Sequence, residues 1–277
     1  MPAESPADLY LDLLKRTLSF CMWPEPPQLV TFETRPFPRR QVGNLLSNFL
    51  TRFTDLKLAV HRPVTAKQRE LGEVWPGYAH TMVGLKRLDS LQECVETVLK
   101  EKIPGDLIET GVWRGGSCIF MKGVLQAHGD QDRTVYVADS FAGLPKPNPE
   151  EYPEDEGDNH HKIDFLAISE EQVRENFEKY DLLDDRVRFL KGWFKDTLPT
   201  APAKAYSVIR LDGDMYESTM DGLVNLYPKL SPGGFCIIDD YSLSMCASAV
   251  SDYRKEHGIT EELVAIDNTA KFWRKAK

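Results

Sequence analysis

No stretch of this chain is both apolar and long enough to cross a bilayer, so a helical membrane protein is excluded. Basic residues are the minority, 34 Lys and Arg against 43 Asp and Glu, for a formal net charge of -9. A sequence-independent nucleic-acid binder therefore has no electrostatic footing. The five cysteines, Cys21, Cys94, Cys118, Cys236 and Cys246, are odd in number, scattered and without a CxxC. None sits at a zinc-site spacing, and Cys118 and Cys236 lie in apolar segments as buried free thiols do. Reduced thiols point to a cytoplasmic protein, as does a start, Met1-Pro2-Ala3-Glu4-Ser5-Pro6, with neither the basic residues nor the apolar stretch of a signal peptide. The chain also lacks a Walker GxxxxGK[ST], a GxGxxG fingerprint and any internal repeat.

What is present is 277 residues with 42% hydrophobic content, enough for one large domain or a domain with an extension. Apolar spacing predicts a helix over 7–22 with Leu9, Leu13, Leu14, Leu18 and Met22 on one face, stopped by Pro24, Pro26 and Pro27. A second helix is expected over 41–53, before a Gly-Pro-aromatic stretch at 72–78. From Asp89 onward, helices at 89–101, 116–128, 169–180, 217–228 and 243–257 alternate with strands at 106–110, 134–138, 187–191, 206–211 and 234–239. Ser169-Glu170-Glu171-Gln172 fits a capping box. Two last strands at 262–267 and 270–274 turn at Asp267-Asn268. Alternation of this kind predicts an α/β fold with a parallel, doubly wound sheet, and the closing hairpin adds an antiparallel strand. Residues 1–88 read as a cover or oligomerisation extension, and 89–277 as the main domain.

Two strands end on acids: Val208-Ile209-Arg210-Leu211-Asp212-Gly213-Asp214 and Phe235-Cys236-Ile237-Ile238-Asp239-Asp240-Tyr241. Ligands of open α/β sheets bind outside the carboxyl ends of the strands. Aspartates converging there repel one another unless protons or a hard cation neutralise them, which suggests a Mg²⁺ site at Asp212, Asp239 and Asp240. The first strand runs into Glu109-Thr110-Gly111-Val112-Trp113-Arg114-Gly115-Gly116-Ser117, where glycines permit a sharp turn and close approach to a ligand. The second ends at Asp139-Ser140-Phe141, and an acid there suits the hydroxyls of a ribose. A nucleoside cofactor without a pyrophosphate fits best.

These segments resemble the class I S-adenosylmethionine-dependent methyltransferases, in the catechol O-methyltransferase-like branch. The wider match is to the macrocin O-methyltransferase family, whose members methylate sugar hydroxyls on antibiotics. It rests on residues 79–82, 106–117, 138–145, 190–198, 211–219 and 227–241. The resemblance implies a Rossmann-like, mostly parallel seven-stranded sheet with an antiparallel C-terminal strand and a helical N-terminal extension. It implies that Glu109 and Gly111 lie by the methionine part of the cofactor, that Asp139 holds the ribose, that Gly192 and Trp193 sit near the adenine, that Thr81 and Met82 close over it, and that Ser117 and Ser140 also belong to the cofactor site. The lesser alternatives are plain core for Trp193 and a helix cap for Thr81.

Methyl transfer to an alcohol needs the hydroxyl's proton to leave, and a divalent cation lowers that pKa. The related enzymes place a lysine three residues after the first metal aspartate; here that position is Met215. Asp214 is the favoured base, with His160 and His161 of the acidic, proline-rich loop 143–164 as competitors. That loop reads as a solvated lid. The expected acceptor is a small glycosylated or hydroxylated molecule, most simply a sugar hydroxyl on a natural product. A phenolic, catechol or polyketide hydroxyl, or a non-catalytic assembly role on this scaffold, are the alternatives. The family resemblance favours a homo-oligomer.

Overall fold

The structure, a computed structural model, describes residues 5–29, 38–54, 59–60 and 63–277. Met1–Glu4, part of the leader argument above, lie outside them. In chain order the elements are α1 (Pro6–Leu18), β1 (Gln28–Leu29), α2 (Arg39–Phe53), β2 (Ala59–Val60), α3 (Ala66–Leu71), α4 (Leu85–Lys100), β3 (Asp106–Thr110), α5 (Gly116–Ala127) and β4 (Val135–Asp139). Then come α6 (Glu170–Lys179), β5 (Val187–Lys191), α7 (Phe194–Thr197), β6 (Tyr206–Leu211), α8 (Tyr216–Leu226), β7 (Leu230–Ile238), α9 (Ser244–Glu256), β8 (Val264–Ala265) and β9 (Lys271–Arg274).

Seven strands form one sheet in the order β5-β4-β3-β6-β7-β9-β8. Strands β3 to β7 are parallel, and β9 runs antiparallel to β7 and β8. Successive residues of a strand face opposite sides, and both sides are buried here. Leu107, Val135, Val137, Val208 and Ile237 pack with α1, α4 and α5. Ile108, Tyr136, Ala138, Ile209, Leu211 and Ile238 pack with α8 and α9. Burial on both faces explains why these strands read as near-continuous apolar runs. Among the described residues, no helix is long and apolar enough to cross a membrane. All five cysteines are free, four of them buried.

The front segment differs from expectation at α1. Its buried residues are Leu11, Leu14 and Leu18, while Leu9 and Leu13 are exposed. The face is set by α5, where Gly123 admits Leu14: a Cβ at Gly123 would lie 2.4 Å from a Leu14 methyl. The leucines of α1 thus join the core of the sheet's first face. Helix α4 begins at Leu85 and runs through the 88/89 division. Ser169 caps α6 by accepting from Gln172 N–H, one half of the expected box.

The parallel strands finish level with one another. Gly111 N–H donates to Ala138 O, Asp212 N–H to Thr110 O, Asp239 N–H to Leu211 O and Gly192 N–H to Asp139 O, each at 2.9 Å. The first residue beyond each strand is therefore held at one edge of the sheet, which is where the sequence placed the ligand crevice.

Candidate active site

Three left-handed, non-glycine residues lie just beyond three of these strands: Trp113 (φ 47°), Phe141 (φ 55°) and Asp214 (φ 57°). Such conformations cost energy and concentrate at functional sites. Gly111 (φ 79°) shows a different constraint. A Cβ there would lie 1.6 Å from the Asp212 carbonyl oxygen, so the turn after β3 requires glycine to pass the end of β6.

Two connected cavities open at this edge. The larger, about 320 Å³, is lined by Met82, Gly111, Asp139, Ser140, Gly192 and Trp193. Asp139 accepts from Val112 N–H at 2.7 Å and from Phe141 N–H at 2.8 Å. Ser140 donates to Gly143 O at 2.6 Å, which shapes the adjoining turn. Trp193 is 37% exposed, so it is a wall of this cavity and not core. The smaller cavity, about 180 Å³, is lined by Thr81, Met82, Glu109, Ser117 and His160 together with Asp212, Asp214, Asp239 and Asp240. Thr81 accepts from Val83 N–H at 3.0 Å, and the cap of α4 is Gly84, so Thr81 is not the helix cap.

The acids converge. One carboxylate oxygen from each of Asp212, Asp239 and Asp240 lies within 4.8 Å of the others. They are not alone. Arg210 of β6 binds Glu109 and Asp239, and it donates to Asp212 at 2.7 Å. Arg87 of α4 takes the other oxygen of Asp239 and sits 2.9 Å from Asp267. Neither arginine was anticipated. Arg210 had a signal, since alternation puts it on the face of Asp212; Arg87, distant in the chain, had none.

Even with both guanidinium groups, carboxylates outnumber cations. Burial and the neighbouring Asp214, Asp212 and Asp239 push Asp240 well above the usual carboxylate range. Its side chain shares a hydrogen bond with Asp212, itself raised by burial and by Asp239. A half-buried acid pair crowded by further carboxylates is a set of hard oxygen donors that a divalent cation can neutralise. The donor set fits Mg²⁺. Asp214 lines both cavities, and its N–H donates to Asp240 at 3.2 Å. Burial and then Asp212 push its carboxyl up to about 7.

Of the other base candidates, His160 lines the smaller cavity, held by Asp158. His161 does not line it, and its Nδ1 is buried without a partner. Met215 is fully buried and offers no ionisable group where a lysine was missed. The acidic loop is more tied down than a solvated lid. Asp155 is 0% exposed and accepts from Tyr216 N–H at 2.6 Å and Glu217 N–H at 3.0 Å, at the N-terminus of α8. Trp113 Nε1 donates to Phe165 O at 2.9 Å, and Arg114 donates to Gly77 O and Ala79 O. The motif after β3 thereby clamps both the loop and the front segment.

The family described as macrocin-O-methyltransferase (TylF) matches residues 7–275. The 8-demethyl-8-(2,3-dimethoxy-α-L-rhamnosyl)-tetracenomycin-C 4'-O-methyltransferase of Streptomyces olivaceus is 51% identical over 98% of this chain and 94% of its own. The mycinamicin III 3''-O-methyltransferase of Micromonospora griseorubida is 46% identical over the full length of both. The solved structure of the O-methyltransferase NovP superposes with a TM-score of 0.83 at 44% identity, covering 98% of this chain and 100% of that one. With a doubly wound sheet, its crevice and the convergent acids in place, the chain belongs to the macrocin O-methyltransferase family of S-adenosylmethionine-dependent enzymes.

Proposed function

We propose that this protein transfers a methyl group from S-adenosylmethionine to a sugar hydroxyl of a glycosylated natural product, with Mg²⁺ held by Asp212, Asp239 and Asp240. The observation that carries the reading is the convergence of those three carboxylates beside the cavity lined by Asp139 and Trp193. The relatives' named positions, on a rhamnosyl group in one case, support a sugar as the acceptor. S-adenosylmethionine supplies an electrophilic methyl, and Mg²⁺ supplies a lowered pKa for a bound hydroxyl.

The chain's own residues do the rest. Asp139 orients the ribose, and Gly192 and Trp193 flank the adenine. Thr81, Met82, Glu109, Gly111, Ser117 and Ser140 shape the cofactor's surroundings. Asp214 takes the acceptor proton: its carboxyl lines both cavities, next to Asp212 and Asp240. His160 is the competing base. Residues 89–277 carry the transfer, and 1–88 shape the acceptor side and self-association. The exposed stripe Val42, Leu45, Leu46, Phe49 and Phe53 on α2 supports a homo-oligomer. Free thiols support a cytoplasmic setting.

Chelation by EDTA is expected to lower turnover of a rhamnoside acceptor by roughly a hundredfold or more, with recovery on adding Mg²⁺ and little change in S-adenosylhomocysteine affinity. Unchanged turnover under chelation would remove the metal from the proposal. Asp214→Asn is expected to cost about 10²- to 10⁴-fold in kcat, and near-normal turnover would move the base to His160.

A further inference from the structure

A third cavity, about 510 Å³, lies on the front segment and is lined by Pro26, Pro63, Val64, Val74, Trp75 and Phe165, with Gln68, Glu73 and Glu25 as its polar side chains. Trp75 also lines the small cavity that holds the acids. We propose that this groove binds the apolar aglycone of the acceptor while the sugar enters the acid-lined cavity. The proposal rests on the acceptor class put forward above.

Three observations carry it. The first is size. The reacting cavity is about 180 Å³, below the roughly 300–1,000 Å³ of ordinary ligand sites. A sugar joined to a ring system needs more room, and the adjoining groove offers it. The second is a continuous aromatic wall. Trp75, 50% exposed, stacks on Phe165 with centroids 5.7 Å apart and planes at 17°. Phe165 packs on Trp113 of the cofactor turn at 5.3 Å. Flat apolar faces suit an aromatic or polyketide ring more than a free sugar. The third is rigidity. A buried ion pair, Arg69 with Glu25, lies at the base of the segment. Arg69 also donates to Ser19 O at 3.0 Å, Glu25 accepts from Gly77 N–H, and Arg114 donates to Gly77 O at 2.9 Å. A preformed groove loses little entropy on binding.

Charge narrows the occupant. No Lys or Arg lines the groove among the described residues, whereas Glu25 and Glu73 do. Among the described residues, the diphosphate of a nucleotide sugar would meet Glu73 and a Glu25 already paired with Arg69, and no unpaired cation. That charge favours the finished glycoside as the acceptor, supplied by glycosyl transfer onto the aglycone.

The test uses the full chain loaded with S-adenosylhomocysteine and Mg²⁺, titrated calorimetrically with methyl α-L-rhamnoside, 2-naphthyl α-L-rhamnoside and dTDP-L-rhamnose. The naphthyl glycoside is expected to bind at least about tenfold tighter than the methyl glycoside, and the nucleotide sugar no tighter than the methyl glycoside. Val64→Asp and Val74→Asp are each expected to bring the naphthyl preference below about threefold. A rhamnoside whose aryl group carries a diazirine needs no variant, and is expected to label the peptides containing Val64 and Val74. Equal binding of the two glycosides, or labelling confined to other peptides, overturns the groove assignment alone. Tighter binding of dTDP-L-rhamnose overturns the order of reactions. Failure of the enzyme to methylate either rhamnoside while it methylates free phenols overturns the acceptor class and this proposal with it.

Discussion

The end of β4 and the ends of β6 and β7 treat their carboxylates in opposite ways. After β4, Asp139 is answered by the backbone: Val112 and Phe141 N–H groups satisfy it within the turn. After β6 and β7, Asp212, Asp239 and Asp240 are answered by other side chains, two arginines and each other. The first arrangement uses no other charged side chain, and burial still holds the Asp139 carboxyl above its usual range. The second carries an excess of negative charge that only protons or a bound cation can relieve. The two regions thus differ in what each still requires.

The largest test of this contrast is Arg210→Leu. Arg210 is 2% exposed and joins Glu109, Asp212 and Asp239. Removing one partner from a buried ionic network costs about 3–5 kcal/mol, measured by urea denaturation of metal-free protein. A cost below about 1 kcal/mol would mean that arginine does not hold the acidic side together. The cofactor side predicts a smaller and different loss. Asp139→Ala is expected to weaken S-adenosylhomocysteine binding about 10- to 100-fold, the worth of a charged hydrogen bond of about 1.5–3 kcal/mol. The same change should raise the KM for S-adenosylmethionine more than it lowers kcat. A collapse of stability as deep as that of Arg210→Leu would erase the distinction between the two sides.

The same contrast explains what the sequence revealed. Strands 106–110 and 206–211 were placed to the residue because runs buried on both faces announce themselves, and the partly exposed edge strand 187–191 was placed as well. The acids were visible because they end those runs. What answers the acids was less visible. Asp139's partners are backbone donors, which every residue but proline has, and Arg87 reaches Asp239 across 152 positions of chain. The face of α1 was misread for a related reason. Its leucines permit more than one stripe, and Gly123 of α5 chose between them. The Arg69–Glu25 pair that braces the front groove joins residues 44 apart with no local pattern. Local periodicity is legible from one segment, whereas a contact needs both of its partners.

The smallest expected effect separates the two regions by sign. His80 packs beside the cofactor turn with Nδ1 at 2.8 Å from the Tyr180 hydroxyl. Burial first, then Lys179 and Arg114, lower its pKa from 6.5 to about 4. Between those values the folded chain binds fewer protons than the unfolded one, so this contribution is full above pH 6.5 and lost as pH falls towards 4. Asp214 acts in reverse. Its pKa is raised from 3.8 to about 7, so the folded chain binds more protons across that window and stability falls as pH rises through it. The two slopes oppose each other in metal-free protein, that of His80 offsetting part of that of Asp214. His80→Gln keeps a hydrogen-bonding group for Tyr180 and removes the first slope. Its urea stability relative to the native chain should therefore decline as pH climbs from about 4.5 to about 6.5. Asp214→Asn removes the second slope, and its relative stability should climb over the same interval. Relative slopes of the same sign in the two variants would break the comparison, because a single region would then govern the protein's response to pH.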